Sequence, residues 1–270
     1  MGAWQEIKAL HAKSTAGAKE GVAFRYFSRP LASFILYHIQ HSRWTPNQIT
    51  ILSLITGVAG SVVHITCLSW LGLIGGCALF MLAHVLDALD GQLARHRKAG
   101  SVIGMYFDFF IDALKAYMMY GALAIRLWLQ AVSPGTGDAP FGGECASPTW
   151  ALDHFIHCHG TVVIPIVAIF GMGLLATGIG CTEFMKKAEW KALLPAPGTA
   201  AGGGGFSLVA LVEKLGRFVV DYPSYILLLC ICNRVDLYFL GYTLVVALYA
   251  ARALNGIMVR LWRINPYANR

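Results

Sequence analysis

Between Asp87 and Asp112 the chain reads DALDGQLARHRKAGSVIGMYFDFFID, and four of its eight Asp residues fall in these 26 positions. Ser69 to Leu86, the 18 residues before them, are apolar. As a helix that run is about 27 Å long, so it crosses most of a bilayer before Asp87 is reached. Ionisable side chains inside a spanning helix are costly and usually mark function. Asp87 and Asp90 are three residues apart and Asp108 and Asp112 four apart, so on helices each pair projects from one face. The 93–103 segment makes the two helices an antiparallel hairpin. Measured from Gly104, Asp108 and Asp112 lie about 6 and 12 Å along the second helix, comparable to the depth of Asp90 and Asp87 below Arg95. The spacing therefore predicts that all four carboxylates meet at one level.

Four ionised carboxylates at one place repel, and at least one is forced neutral unless cations bind between them. Hard oxygen ligands beside a water-accessible surface suit Mg²⁺, Mn²⁺ or Ca²⁺ rather than zinc. A carboxylate-held metal pair matches a diphosphate, whose oxygens it neutralises and whose leaving group it stabilises. One carboxylate can then remain free to take a proton from an alcohol. Gly91 and Ala94 continue the Asp87 and Asp90 face with almost no side chain and leave room for a ligand. Gly104 clears the start of the next helix, either for a ligand or for ordinary close packing of membrane helices.

Outward from this stretch the whole chain is apolar. Of its 270 residues 57% are hydrophobic and 13% charged, and the mean hydropathy is +0.59, far above a soluble domain. Six stretches reach spanning length, at approximately 47–67, 69–92, 104–131, 159–182, 217–233 and 235–262. The fifth is the weakest, with Arg217 and Asp221 in its first turns, where the two can pair. With six spans the N-terminal segment, the 93–103 loop, the 183–217 loop and the C-terminus hold most of the 21 Lys and Arg residues, and the opposite side holds only Arg234. The positive-inside rule makes those four segments, and the aspartates beside them, cytoplasmic. The net charge of +7 goes with these flanks and with anionic lipid headgroups, not with nucleic acid, because no basic domain stands apart.

The expected fold is an all-α integral membrane protein of six transmembrane helices preceded by an N-terminal amphipathic interfacial helix. Residues 1–45 form the cytoplasmic and interfacial segment and 46–270 the membrane domain. Phe24 to Phe27 and Leu31 to His41 mix aromatic, apolar and basic residues as a headgroup-plane helix does, and Pro30 suits its first turn. Pro195 to Gly198 and Gly202 to Gly205 read as a linker rather than a phosphate cradle, since no strand precedes them. The seven cysteines sit mostly in apolar runs as small hydrophobes. Cys145 and Cys158 share an expected external loop and can pair in an oxidising compartment. His154, His157 and His159 are read as polar residues of that loop rather than metal ligands.

Asp87-x-x-Asp90-Gly91-x-x-Ala94-Arg95, then eight residues, then Gly104-x-x-x-Asp108-x-x-x-Asp112 resembles the signature of the CDP-alcohol phosphotransferases. Thr45-Pro46-Asn47 opening the first span also looks like this family. The resemblance implies an enzyme that transfers a substituted phosphate group from a CDP-linked donor to an alcohol and releases CMP, using Mg²⁺ or Mn²⁺, two ions, and acting as a homodimer. It implies metal binding by Asp87, Asp90 and Asp108, with Asp112 completing the metal site and serving as catalytic base. Gly91 and Ala94 would line the cytidine pocket, with Arg95, Gly104 and Asn47 also at the CDP site.

Lys115 and Arg252, both within spans, are candidates for binding a charged acceptor; Lys115 can equally balance the aspartates or snorkel. Arg29-Pro30-Leu31, Thr45 to Gln48 and Asp90 to Arg95 look more like the branch acting on polar, inositol-like alcohols. The leading expectation is CDP-diacylglycerol with a polar acceptor such as an inositol or glycerol phosphate. The alternative is transfer of a choline, ethanolamine or inositol phosphate head group from its CDP form. The rival class is a cation transporter, which predicts carboxylates at the bilayer midplane, often on broken helices.

Overall fold

The computed structural model describes residues 2–15, 24–133, 151–187 and 226–263. Every regular element among them is helical: α1 (Ala3–Thr15), a π-helical turn (Phe24–Ser28), α2 (Arg29–Ile39), α3 (Pro46–Thr66), α4 (Trp70–His96), α5 (Val102–Val132), α6 (Ala151–Lys186), α7 (Ile226–Ile231) and α8 (Val235–Arg263).

Local sequence explains where the site-bearing helices start. Thr45 Oγ1 accepts the Gln48 backbone N–H at 3.3 Å while Gln48 Oε1 accepts that of Thr45 at 2.9 Å. This reciprocal cap satisfies two orphan donors, and Pro46 in the first turn has none to lose. Ser69 and Ser101 cap α4 and α5 through Gly72 and Gly104 N–H at 3.2 and 3.0 Å. At the far end of α4, Lys98 takes a left-handed φ of 53°. The N–H groups of Lys98 and Ala99 then reach back to the carbonyls of Arg95 and Ala94, closing the helix and starting the hairpin.

α3 packs along both α4 and α5, α6 packs on α5 and α8, and α2 lies on α4. A β-carbon at position 60 would stand 3.0 Å from the Phe80 ring and 3.1 Å from the Gly76 carbonyl. α3 and α4 therefore approach this closely because residue 60 is glycine. One buried cluster joins α4, α5, α6, α7 and α8 around Phe80, Leu123, Phe239 and Tyr242; a second joins α2, α3 and α4 around Leu36, Ile49 and Leu89.

The N-terminal segment is tied to the helices that follow it. Gln92 Nε2 donates to the Arg29 carbonyl at 3.1 Å, and Ser33 Oγ donates to Gln92 Oε1 at 3.1 Å. The Arg97 guanidinium donates to the carbonyls of Ser42 at 2.7 Å, Gln40 at 3.2 Å and Trp44, holding the α2–α3 connection against the end of α4. Pro30 sits in the first turn of α2 as expected. That helix buries Ala32 and Leu36 and exposes Leu31 and Phe34.

Among the described residues, four helices are long and apolar enough to cross a membrane: α3, α4, Cys158–Met185 of α6 and Val235–Val259 of α8. The expected third span is α5, a 31-residue helix carrying Asp108, Asp112, Lys115 and Arg126, whose charges keep it out of that apolar group. Most of the expected fifth span lies outside the described residues, which show only the six-residue α7 at its end. The Arg217–Asp221 pair, the Pro- and Gly-rich linker and Cys145 also lie outside them. Cys158 is exposed on α6. α6 begins at Ala151, so the His154 to His159 stretch expected as loop forms its first turns.

The buried Arg126 explains how α5 tolerates a cation far from the aspartates. Its guanidinium donates to the carbonyls of His64 (3.2 Å), Cys67 (2.7 Å), Leu68 (2.6 Å) and Ser69 (2.8 Å). These carbonyls lie where α3 ends and the chain turns into α4, and that of Ser69 also accepts the Leu73 N–H. Arg126→Met leaves them without that donor and is expected to cost about 2–3 kcal/mol. Thermal unfolding of the detergent-solubilised variant, read as a lower Tm than wild type, checks this.

Candidate active site

Three helices converge on the aspartates. α4 supplies Asp87 and Asp90, α5 supplies Asp108 and Asp112, and α3 lies against both. One oxygen from each of Asp87, Asp90 and Asp108 lies within 4.8 Å of the other two. Ligands on opposite sides of Mg²⁺ stand about 4.2 Å apart, twice a metal–oxygen distance of about 2.1 Å. Only one of the three pairs can stand opposite; neighbouring ligands stand about 3.0 Å apart, so closing on one ion draws the three carboxylates inward. Asp108 Oδ1 is buried with no hydrogen-bond partner among the described residues, as expected of an oxygen shaped for a ligand. The donor set is all carboxylate, so the residues fit a hard divalent cation.

Asp112 is placed differently. Its carboxyl is 48% exposed, and Oδ1 lies 2.8 Å from Lys115 Nζ. The same ammonium lies 2.7 Å from Asp87 Oδ1 and donates to Ser53 Oγ at 2.9 Å, with Lys115 itself buried. Lys115 therefore faces Asp87 and Asp112 together, in the geometry that balancing the aspartates would require.

Asn47, Gly91, Ala94, Arg95 and Gly104 are the residues expected at the nucleotide. Asn47 Oδ1 would be 3.7 Å from a β-carbon at Gly104, so α3 and the first turn of α5 meet there. Arg95 is exposed, and its guanidinium folds back over Gly91, where a β-carbon would meet Nη2 at 3.5 Å. Ala94 is half-buried one turn beyond Asp90, and Arg252 is exposed on α8. A cavity of about 300 Å³ opens between α5, α6 and α8, with Phe109, Leu175, Tyr242 and Val246 among its lining residues and Thr182 and Glu183 its polar ones.

Two functional neighbours escaped the sequence reading. Thr50 Oγ1 donates to Asp90 Oδ2 at 2.5 Å, and Ser53 receives Lys115. The signal was present in α3: Asn47, Thr50, Ser53 and Gly57 recur at three or four residues, a polar and small stripe along an otherwise apolar helix.

A family model described as CDP-alcohol phosphatidyltransferase matches residues 43–177, half of the 270-residue chain, including all eight signature positions and the α3 stripe. The chain belongs to the CDP-alcohol phosphatidyltransferase family. Four apolar helices of spanning length accordingly make this family member a multi-pass membrane protein. It is similar to two proteins named "Bifunctional IPC transferase and DIPP synthase". That of Thermococcus kodakarensis is 26% identical over 132 residues, covering 46% of this chain and 29% of the relative. That of Aquifex aeolicus is 26% identical over 111 residues, covering 41% of this chain and 24% of the relative. The match thus spans under a third of either relative's own length.

The Thr50 hydroxyl orients Asp90 from outside the ligand set, and such supports are typically worth 10–100-fold in metal affinity. Thr50→Val is expected to weaken Mn²⁺ binding by about tenfold or more. Titration of the purified protein, followed by the resonance of free Mn²⁺, measures it.

Proposed function

We propose that this phosphatidyltransferase-family protein moves a phosphatidyl group from CDP-diacylglycerol to a polar alcohol, such as an inositol or glycerol phosphate, in phospholipid synthesis. The observation that carries the reading is the convergence of Asp87, Asp90 and Asp108 beside an exposed Asp112, inside the family match. Mg²⁺ or Mn²⁺ held by the three carboxylates would supply neutralisation of the diphosphate oxygens and of the leaving phosphate. Asp112 is the base: its exposed carboxyl takes the proton from the acceptor hydroxyl, whose oxygen attacks the phosphorus farther from cytidine as CMP departs. Asn47 and Gly104 edge the nucleotide, Gly91 and Ala94 leave it space, and the exposed Arg95 meets its phosphates. Arg252 is an acceptor contact in this reading.

The apolar cavity supports a reactant with hydrocarbon chains. Phe109 adjoins Asp108 in sequence, while Leu175, Tyr242 and Val246 lie in the stretches of α6 and α8 that have spanning length. A chain anchored there would leave its phosphate at the carboxylates. Arg95, Arg97 and Lys98 at the hairpin end support a site facing the cytoplasm. The homodimer is carried over from the family resemblance. The relatives' names favour a second reading, transfer of a polar phosphoalcohol from its CDP form.

Radiolabelled CMP release from a panel of CDP donors separates the two. CDP-diacylglycerol with a polar acceptor is expected to turn over, with Asp112→Asn lowering kcat by about 10²–10⁴. Val246→Trp, which fills the cavity, should raise KM for the lipid donor. Turnover confined to polar CDP-alcohols and indifferent to Val246→Trp would establish the second reading instead.

A further inference from the structure

We propose that Lys115 is a resident cation that takes the place of a second divalent ion, so that this site binds one metal ion rather than two. The inference rests on the metal-dependent reading above and deepens it. Lys115 Nζ stands 2.7 Å from Asp87 Oδ1 and 2.8 Å from Asp112 Oδ1, which is the position a metal bridging those two carboxylates would need. The remaining group, Asp87, Asp90 and Asp108, is large enough for one ion, and Asp112 is outside it. A second divalent ion between Asp87 and Asp112 would stand against the ammonium, and the like charges would repel.

The surroundings are built for the lysine. At position 57 a β-carbon would stand 3.3 Å from Lys115 Cγ, tighter than most such contacts, so α3 leaves the side chain its path by carrying glycine there. Ser53 Oγ donates to the Ala83 carbonyl at 2.8 Å, which aims its lone pairs elsewhere, and the Lys115 ammonium donates to them at 2.9 Å. Lys115 is itself buried, with its stem held between α3 and α5. An ammonium expelled by a second metal would lose two carboxylates inside a helix bundle, a costly position for an uncompensated charge.

Lys115 is thus a positioning residue. It fixes the Asp112 carboxyl at a set distance from the metal-binding trio, and it leaves Asp112 free of metal to accept a proton.

Counting tightly bound Mn²⁺ per chain by electron paramagnetic resonance, on the full-length protein in lipid nanodiscs, tests the proposal without any turnover. One ion is expected in wild type, one in Asp112→Asn, and two in Lys115→Met, where the position between Asp87 and Asp112 is vacated. Two ions in wild type would overturn the inference while leaving metal dependence standing; no ion in wild type would remove the metal-dependent reading as well. Loss of the ion in Asp112→Asn would also overturn it, by making Asp112 a ligand. Should Lys115→Met fail to fold, wild type and Asp112→Asn still decide the matter.

Discussion

Carboxylates crowded into a low-dielectric helix bundle repel one another, and most of what surrounds the site can be understood as an answer to that repulsion. Thr50 gives Asp90 a hydroxyl donor, and Lys115 gives Asp87 and Asp112 a shared cation. Among the described residues, Asp108 Oδ1 is the fully buried oxygen of the four aspartates without a hydrogen-bond partner, which points the cluster toward an external cation. A buried carboxylate group of this kind destabilises the bundle unless its geometry is held. The holding is done by α3, which packs on α4 and α5 and presents its polar stripe to both.

The opposite end of α5 answers a different demand with the same chemistry. Where α3 stops, its last carbonyls lose their intrahelical partners. Arg126 supplies the missing donors across the α3–α4 turn. α5 therefore carries one cation toward acids and another toward carbonyls, which is why it departs from plain apolar composition without being a surface helix. Both cations bind α3, so the helix bearing Thr50 and Ser53 is fixed against α5 at two heights. A site carried by helices secured in this way keeps its geometry better than one carried by loops.

The hairpin and its four aspartates were legible in the sequence because helical periodicity is local: spacings of three and four residues set a face, and the rise per residue sets a depth. Family identity was legible for the same reason, since its signature lies within one hairpin. The partners of that hairpin were less legible. Nothing local says that Thr50 rather than Thr56 meets an aspartate, because that depends on how α3 is rotated against α4. Lys115 showed the ambiguity most clearly: its position beside the aspartates was readable, but its choice between an acceptor and the carboxylates depended on Ser53 and Gly57, some sixty residues earlier. The span expected from residue 159 agrees with the apolar stretch Cys158–Met185, but α6 itself begins at Ala151, because a helix takes polar residues such as His154 and His157 readily in its first turns.

The depth of the carboxylates constrains which reactants can meet. Asp112 is about half exposed, Asp90 is buried, and the cavity beside Phe109 has an apolar lining. In the proposed reaction a water-borne alcohol would meet the exposed carboxyl, and a hydrocarbon chain would enter the cavity. Placed a turn or two deeper, the aspartates would require the nucleotide to shed its hydration inside the bilayer, where charge is most costly. Placed shallower, they would stand apart from a lipid-anchored phosphate. The burial gradient from Asp112 through Asp87 to Asp90, beside an apolar cavity, supports the proposed meeting of a water-borne alcohol with a lipid-anchored donor.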